Sequence, residues 1–304
     1  MIKKLEEILL MAQQKQKRKL SVACPYDVHT LQAVDNARRR GMITAVLCGD
    51  AAKIGFAAQV ADVEIGNFEI CDFKDDDEAL SKAVGLVADG EADFLMKGLI
   101  SSEKYLKAVL RRNSGLIAGS TAITHVAVME NPNYHKLIIF GDSAILPQPD
   151  LKQKLIILNA LSAMAHILGN PLPKVAVLAA TELISNAIIA GPDAAVISKM
   201  SDRHQLGQCM AEGPLSLDLA INSQAAQIKG VTNEVVGDAD CLIFPDIEAG
   251  NSFYKTNTKL AGAQVAGCLA GTKAPVVLTS RGDSAQSKLY SIALAMVAGT
   301  VVDN

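Results

Sequence analysis

Aromatic residues are scarce in this chain of 304 residues: they make up 4%, and tryptophan is absent. The core must be built from Ala, Val, Ile, Leu and Gly, which suits layered α/β proteins whose strands are buried on both faces. Positive charge is in no excess either. Lys and Arg number 29 against 32 Asp and Glu, for a net charge of −3. That balance argues against a partner that is nucleic acid or an anionic membrane surface. It leaves room for a local basic pocket that takes a phosphorylated ligand. The six cysteines, at 24, 48, 71, 209, 241 and 268, form no CxxC pair and no zinc spacing. They read as free, mostly buried thiols of a reducing compartment, and no metal site is expected.

Long apolar runs are missing as well. The stretch Met1 to Lys19 is charged and amphipathic, with Leu5, Ile8, Leu9 and Ala12 on one face, and has no signal-peptide core. The longest apolar stretch, Ile292 to Val302, falls short of the ~20 residues that span a bilayer. The expected location is the cytoplasm. Three nucleotide and metal motifs are also absent. There is no Gly-x-x-x-x-Gly-Lys-Ser/Thr loop, no Gly-x-Gly-x-x-Gly after the first strand, and no HExxH among histidines 29, 125, 135, 166 and 204. His125 lies in a strand-like run and reads as a core or cleft histidine.

What is present is alternation. Short apolar runs and helical patterns follow one another: a strand over Leu20–Cys24, a helix from His29 to Arg40, a strand over Ile43–Cys48, a helix from Glu78 to Asp89, a strand over Ala92–Met96 and a helix from Ser102, as N-cap, to Arg112. Such order predicts mainly parallel sheets covered by helices. Two runs, Ala122–Met129 and Lys136–Phe140, joined by Asn131-Pro-Asn133, predict a hairpin. A long helix from Asp150 to Leu168 follows. A second alternating series then has strands at Lys174–Ala179, Cys241–Phe244 and Pro275–Leu278 and helices at Glu182–Ala190, Glu248–Leu260 and Ser284–Ala298. The length suits two domains. They are expected over 1–135 with 281–304, and over 136–280.

Four segments have the composition of a site. In Ala274 to Ser284, a buried strand ends in Thr279 and Ser280, then Arg281, Gly282 and Asp283, then a helix start. Open α/β sheets bind ligands beyond the carboxyl ends of strands, helix N-termini favour anions, and an Arg fork holds two phosphate oxygens. An ordinary Ser N-cap beside a surface Arg has the same look. In Ala92 to Ser102, Lys97 and Gly98 follow a strand, and Ser101 and Ser102 open a helix. Gly98 allows close backbone approach to a ligand. Lys104, Lys107, Arg111 and Arg112 read as a solvated face. In Val236 to Lys255, Asp246, Glu248, Gly250 and Asn251 gather where a helix begins, with Tyr254 and Lys255 one turn in. Capping alone would explain the acids. In Ala211 to Asp218, Gly213-Pro214 predicts a turn, with Asp218 positioned to cap the next element. The run Asp75 to Glu78 reads as a solvated helix start.

Taken together, these segments resemble the phosphate acetyl/butyryl transferase family. The resemblance rests on Lys97-Gly98-Leu-Ile-Ser101, His125-Val-Ala-Val-Met-Glu130, Glu212-Gly213-Pro214-Leu215, Phe244-Pro-Asp246-Ile-Glu-Ala-Gly250-Asn251 and Thr279-Ser280-Arg281-Gly282, in that order along nearly the whole chain. The butyryl branch is the nearer one, by Met96 to Ile100 and His125 to Val128. The resemblance implies a two-domain α/β/α fold related to isocitrate and isopropylmalate dehydrogenases, with an interdomain cleft, and a homodimer or multiple of dimers. It implies that acyl-CoA and inorganic phosphate are substrates, with no permanently bound cofactor, and give acyl phosphate and CoA by direct attack in a ternary complex. Ser280 would hydrogen-bond the reacting centre and Arg281 would hold phosphate, with Asp283 the third catalytic candidate. Lys97, Gly98, Ser101, Asp246, Gly250, Asn251 and Tyr254 would bind substrate. Acetyl-type members usually carry an Asp seven residues after the Ser, as base for the CoA thiol, whereas this chain has Ser287 there. Two other functions suit the same pattern: a metal- and NAD-dependent decarboxylating dehydrogenase, which would need a carboxylate triplet not evident here, and a non-catalytic acyl-CoA or acyl-phosphate binding protein.

Overall fold

The computed structural model describes residues 1–111, 113–117 and 122–299. Arg112 and the end of the apolar stretch toward Val302 lie outside the described residues. In chain order, α1 (Leu5–Gln13) precedes β1 (Arg18–Ala23), α2 (Val28–Arg39), β2 (Ile43–Gly49), α3 (Ala51–Ala61), β3 (Glu69–Asp72), α4 (Asp76–Ala88), β4 (Phe94–Lys97) and α5 (Ser102–Val109). Next come β5 (Thr124–Glu130), β6 (Ile138–Gly141), α6 (Leu151–Ile167), β7 (Lys174–Leu178), α7 (Ala190–Asp202), β8 (Met210–Leu215), α8 (Leu217–Ile221), α9 (Ser223–Lys229), β9 (Cys241–Ile243) and α10 (Ile247–Leu260). The chain then returns through β10 (Gln264–Ala270), β11 (Val276–Val277) and α11 (Ala285–Ala298).

Two compact units result. The middle unit holds Met1–Leu5 and Ala122–Gln264, and the outer unit is built from the described residues of 6–121 and 265–302. The exchange points therefore fall at 122 and 265, where the sequence suggested 136 and 281. The reason is hydrogen bonding. The β5–β6 hairpin is a single antiparallel pair, Val128 opposite Ile139, and stays whole. Residues 265–280 go with the outer unit because β11 pairs with β4. The first residues belong with the middle unit, where the Ile2 amide donates to Leu168 O at 3.0 Å and the Leu5 amide to Glu130 Oε2 at 2.8 Å.

In the outer unit the strand order is β3-β2-β1-β4-β11-β10. All neighbours are parallel except β10 with β11, which share the register Cys268–Val277. The chain runs from β1 through β2 to β3 on one side, then resumes with β4 on the other side of β1. Such a reversal leaves a crevice beyond the carboxyl ends of the two central strands, the usual ligand site of open α/β sheets. Leu20, Val22 and Ala23 of β1 and Phe94, Leu95 and Met96 of β4 are fully buried, as strands covered on both faces must be. Aspartates cap the helices that follow: Asp27 for α2, Asp50 for α3 and Asp75 for α4.

In the middle unit the order is β5-β6-β9-β7-β8, parallel from β6 to β8. Three local expectations fail here and in the outer unit. Residues 182–190 are not a helix: Leu183, Ile184 and Ile189 are exposed, hydroxyls of Thr181 and Ser185 bond the amides of Leu183 and Ala187, and the helix begins at Ala190. Glu212-Gly213-Pro214 is not a turn but the centre of β8, and α8 is preceded by Ser216 while Asp218 lies in its first turn. Helix α5 is capped by Ser101, not Ser102, since the Ser101 hydroxyl accepts the Lys104 amide at 3.2 Å. Among the described residues, no helix is long and apolar enough to cross a membrane.

Candidate active site

The reversal between β1 and β4 decides where the outer unit can hold a ligand, and three segments end there. After β1 come Cys24, Pro25, Tyr26 and Asp27. After β4 come Gly98 to Ser101. Beside β4, in parallel register (Val276 opposite Leu95, Val277 opposite Met96), β11 leads into Thr279 to Asp283. The two strongest sequence segments, Lys97-Gly98 and Ser280-Arg281, thus leave adjacent strands at their carboxyl ends.

Lys97 is fully buried, and its Nζ donates to Gly98 O at 3.2 Å and to Ile100 O at 3.0 Å. Burial pushes its pKa down to about 8; the charges of Lys288 and then Arg281 push the same way, and Asp27 and Asp283 oppose them. Gly98 follows because nothing larger fits. Its amide and that of Leu99 donate to Ala23 O and Cys24 O, both at 2.8 Å, and a Cβ at 98 would collide with those same carbonyls. Ser101 is occupied as the α5 cap. Lys104, Lys107 and Arg111 are exposed, the solvated face expected, and Lys104 pairs with Asp77 at 3.0 Å.

The Ser280–Asp283 turn is locked from within. The Ser280 amide donates to Asp283 Oδ2 at 2.7 Å, and the Asp283 amide donates back to Ser280 O at 3.2 Å. Asp283 is buried, Ser280 is half-buried and Arg281 is exposed. Ser284 caps α11 by accepting the Ser287 amide at 3.1 Å. Sequence reasoning missed two members of this cluster. Lys288 is fully buried in the first turns of α11, with Nζ 3.5 Å from Ser280 O. Burial pushes its pKa down, while Asp27 and Asp283 push it up. Asp27 looks in sequence like any helix cap, and it does cap α2, accepting the Thr30 amide at 2.8 Å and hydroxyl at 2.6 Å. The sequence offers only a partial signal for Lys288, a lone cation heading the mostly apolar run from Leu289 to Val297.

In the middle unit the other candidates lie beyond the carboxyl ends of β6 and β9. Asp246 caps α10 through the Ala249 amide at 2.8 Å. Gly250 is pressed against the Asp142 carbonyl, and a Cβ there would also meet Ser143 Cα and Phe244 at 3.2 Å. Asn251 donates from Nδ2 to Ser143 O at 3.1 Å. This helix start therefore clamps the loop after β6. That loop is anchored a second time by Asp142, which accepts Thr124 Oγ1 and the amides of His125, Ala144 and Ile145 at 2.7–2.9 Å. His125 is buried, with Nδ1 3.0 Å from Ser143 Oγ. Tyr254 is buried near Phe140, and Lys255 Nζ sits 4.9 Å from its ring centroid. Glu212 accepts Ser198 Oγ, the Gly213 amide and Asn233 Nδ2 at 2.6–2.8 Å. Pockets of about 530 Å³ beside Asp35 and Arg39, and of about 410 Å³ beside Glu212 and Asn233, contain none of the predicted catalytic or substrate-binding residues. Among the described residues, no group of three or more His, Cys, Asp or Glu is placed to hold a metal ion.

The family model described as phosphate acetyl/butaryl transferase matches residues 76–296. The chain belongs to that family. A phosphate butyryltransferase of Clostridium acetobutylicum is 43% identical over 300 residues, 98% of this chain and 99% of that protein. A phosphate acetyltransferase of Thermotoga maritima is 40% identical over 293 residues, covering 96% and 99%. A branched-chain phosphotransacylase from Enterococcus faecalis superposes with a TM-score of 0.80 at 30% identity, over 92% of this chain and 98% of that one. A 4-hydroxythreonine-4-phosphate dehydrogenase from Klebsiella pneumoniae, at 13% identity and a TM-score of 0.53, shares the fold alone. All five family-like segments named from the sequence fall inside the matched range of the phosphate acetyl/butaryl transferases, and so do Lys288 and Ser287. Asp27 precedes it.

Proposed function

We propose that this enzyme moves a short acyl group, butyryl foremost, between coenzyme A and inorganic phosphate. The observation that carries the reading is the outer-unit cluster, where Lys97 and the Ser280–Arg281 turn leave adjacent parallel strands at a strand-order reversal. Phosphate and CoA are both anions, so the site must supply cations before it can align them. Counting Lys97 itself, three cations (Lys97, Lys288 and Arg281) face two carboxylates (Asp27 and Asp283), which leaves one positive charge over.

In the reaction, a phosphate oxygen attacks the thioester carbonyl carbon. The new C–O bond forms, charge gathers on the carbonyl oxygen, and collapse breaks the C–S bond. Sulfur leaves with the electron pair and takes up the proton that phosphate gives up. Alignment and charge stabilisation account for most of such a rate enhancement. Arg281, exposed and fork-shaped, holds phosphate. Ser280 donates its hydroxyl to the reacting centre. Asp283 fixes the serine through its amide. Lys97 adds charge at the strand end, with Gly98 and Ser101 shaping the same turn. Asp246, Gly250, Asn251 and Tyr254 are assigned to substrate binding, and their backbone contacts give them the rigidity that role needs. The two compact units are taken as the two domains, no cofactor is held permanently, and the enzyme works in the cytoplasm as a dimer or multiple of dimers.

The test is CoA release from acetyl-, propionyl-, butyryl- and valeryl-CoA with and without phosphate, with light scattering on the same preparation. Release that needs phosphate or arsenate, fastest with butyryl-CoA, is expected from a dimeric species. Full activity in phosphate-free buffer would sink the acyl-transfer reading, and a monomer at micromolar concentration would sink the assembly.

A further inference from the structure

Lys288 has no role in any sequence motif, yet it occupies a costly place. It is fully buried, it lies near a second buried lysine, and an unbranched apolar side chain of similar length would fill the same space without a charge to desolvate. Buried cations are kept where something anionic compensates them. The carboxylates that act on Lys288 are already engaged with backbone: Asp27 with the Thr30 amide and Asp283 with the Ser280 amide. Lys288 also reaches the carbonyl of Ser280, the residue proposed to meet the reacting centre, at 3.5 Å. Its charge bears on Lys97 more than any other charged group does.

We propose that Lys288 is a positioning residue for acyl transfer: from α11 it ties the Ser280 carbonyl in place and, as a second cation beside Lys97, primes the cluster for an anionic phosphoryl group. The inference rests on the proposed activity for what the anion is, but the lysine pair itself does not. The charged groups that act most on Lys97 come from three places: Lys288 on α11, Arg281 and Asp283 on the turn after β11, and Asp27 at the head of α2. Removing Lys288 takes away a repulsion and leaves both carboxylates to Lys97. Both changes favour protonated Lys97, so they act in the same direction.

The experiment uses the full-length chain with Lys288→Met and Lys288→Arg. With ¹³C-labelled lysine, the Lys97 resonance, assigned by its disappearance in Lys97→Met, is titrated by NMR. Kinetics of CoA release at varied phosphate and pH, and a thermal melt, are measured on the same preparations. In Lys288→Met the Lys97 midpoint is expected to rise by about one pH unit. Turnover is expected to fall on the order of tenfold to a hundredfold, with the enzyme folded and CoA binding changed less than twofold. Lys288→Arg should keep the Lys97 midpoint near that of the wild type and recover part of the turnover. A Lys97 midpoint unmoved in Lys288→Met, or turnover per folded enzyme equal to wild type, overturns the proposal. A wild-type enzyme without phosphate-dependent CoA release overturns the assigned reaction instead, and the NMR titration still reads the lysine pair.

Discussion

Lys97→Met should stabilise the fold and disable the enzyme. Lys97 holds its proton to pH 10.5 in the ordinary state but only to about 8 in the folded chain. At roughly 1.4 kcal/mol per pH unit, keeping it charged and buried at pH 7 costs about 3 kcal/mol. The two carbonyl bonds, to Gly98 and Ile100, return roughly 1 kcal/mol each. Met fills a similar volume. The variant should therefore gain about 1 kcal/mol at pH 7. The sign with pH follows from linkage. Between about 8 and 10.5 the unfolded chain binds the Lys97 proton and the folded chain does not, so the wild type gains stability as pH rises through that window. The Met variant's advantage should vanish across it and turn into a deficit above it. Cys24 and Cys48, whose thiols burial pushes up to about 11 and about 12, titrate in both proteins and drop out of the comparison. Denaturant unfolding of both proteins at pH 7 and pH 10 measures the difference, and CoA release measures the lost activity. A Met variant less stable at pH 7, by a margin that does not change with pH, would refute the reasoning.

Two further substitutions separate chemistry from scaffold. Arg281→Ala should lower phosphate-dependent turnover about a hundredfold, on the order of 3 kcal/mol of transition-state contact, and Arg281→Lys should recover only part of it. Because Arg281 is exposed, the melting temperature should stay put; an unchanged phosphate Michaelis constant and turnover would remove it from the site. Gly98→Ala should do the reverse. Its Cβ would push on the Cys24 and Ala23 carbonyls, which already accept the Leu99 and Gly98 amides, so the substitution costs about 2–4 kcal/mol and activity falls together with the melt. A Gly98→Ala protein melting like the wild type would contradict the close packing.

The strands at the centre of the outer unit were legible because both of their faces are buried. Apart from Ser21 and Asp93, Leu20 to Cys24 and Ala92 to Met96 are apolar without alternation, as the strands of a parallel sheet between helices are. The cluster proposed as the site was legible as segments where charge and backbone need coincide, at Lys97-Gly98 and Ser280-Arg281, and the structure brings these onto adjacent strands. The exposed strand β3 was not, since Glu69-Ile-Cys-Asp72 shows no apolar run. Residues 182–190 misled because Leu183, Ile184, Ile188 and Ile189 have helical spacing, yet the hydroxyls of Thr181 and Ser185 compete for the backbone amides. Lys288 stayed hidden for a different reason. One-dimensional pattern reports which face of a helix is apolar, but not that a cation in that face acts on a second cation carried by a strand.

That interaction bears on the departure at Ser287. The family resemblance leads to the expectation of an Asp at this point in acetyl-type members; here a buried hydroxyl sits there, its amide tied to Ser284 and its carbonyl to Ser291. An Asp at 287 would add an acid one residue from Lys288 in the same turn of α11. Serine at 287 leaves that acid out, so the cluster keeps three cations (Lys97, Lys288 and Arg281) against two carboxylates (Asp27 and Asp283). Within the cluster, burial lowers the pKa of Lys97 to about 8, which brings its ammonium toward proton exchange near neutral pH. Asp283, by contrast, is held by the Ser280 amide. A charge-rich, carboxylate-poor turn suits a reaction between two anions, in which bringing phosphate to the thioester is the larger electrostatic problem.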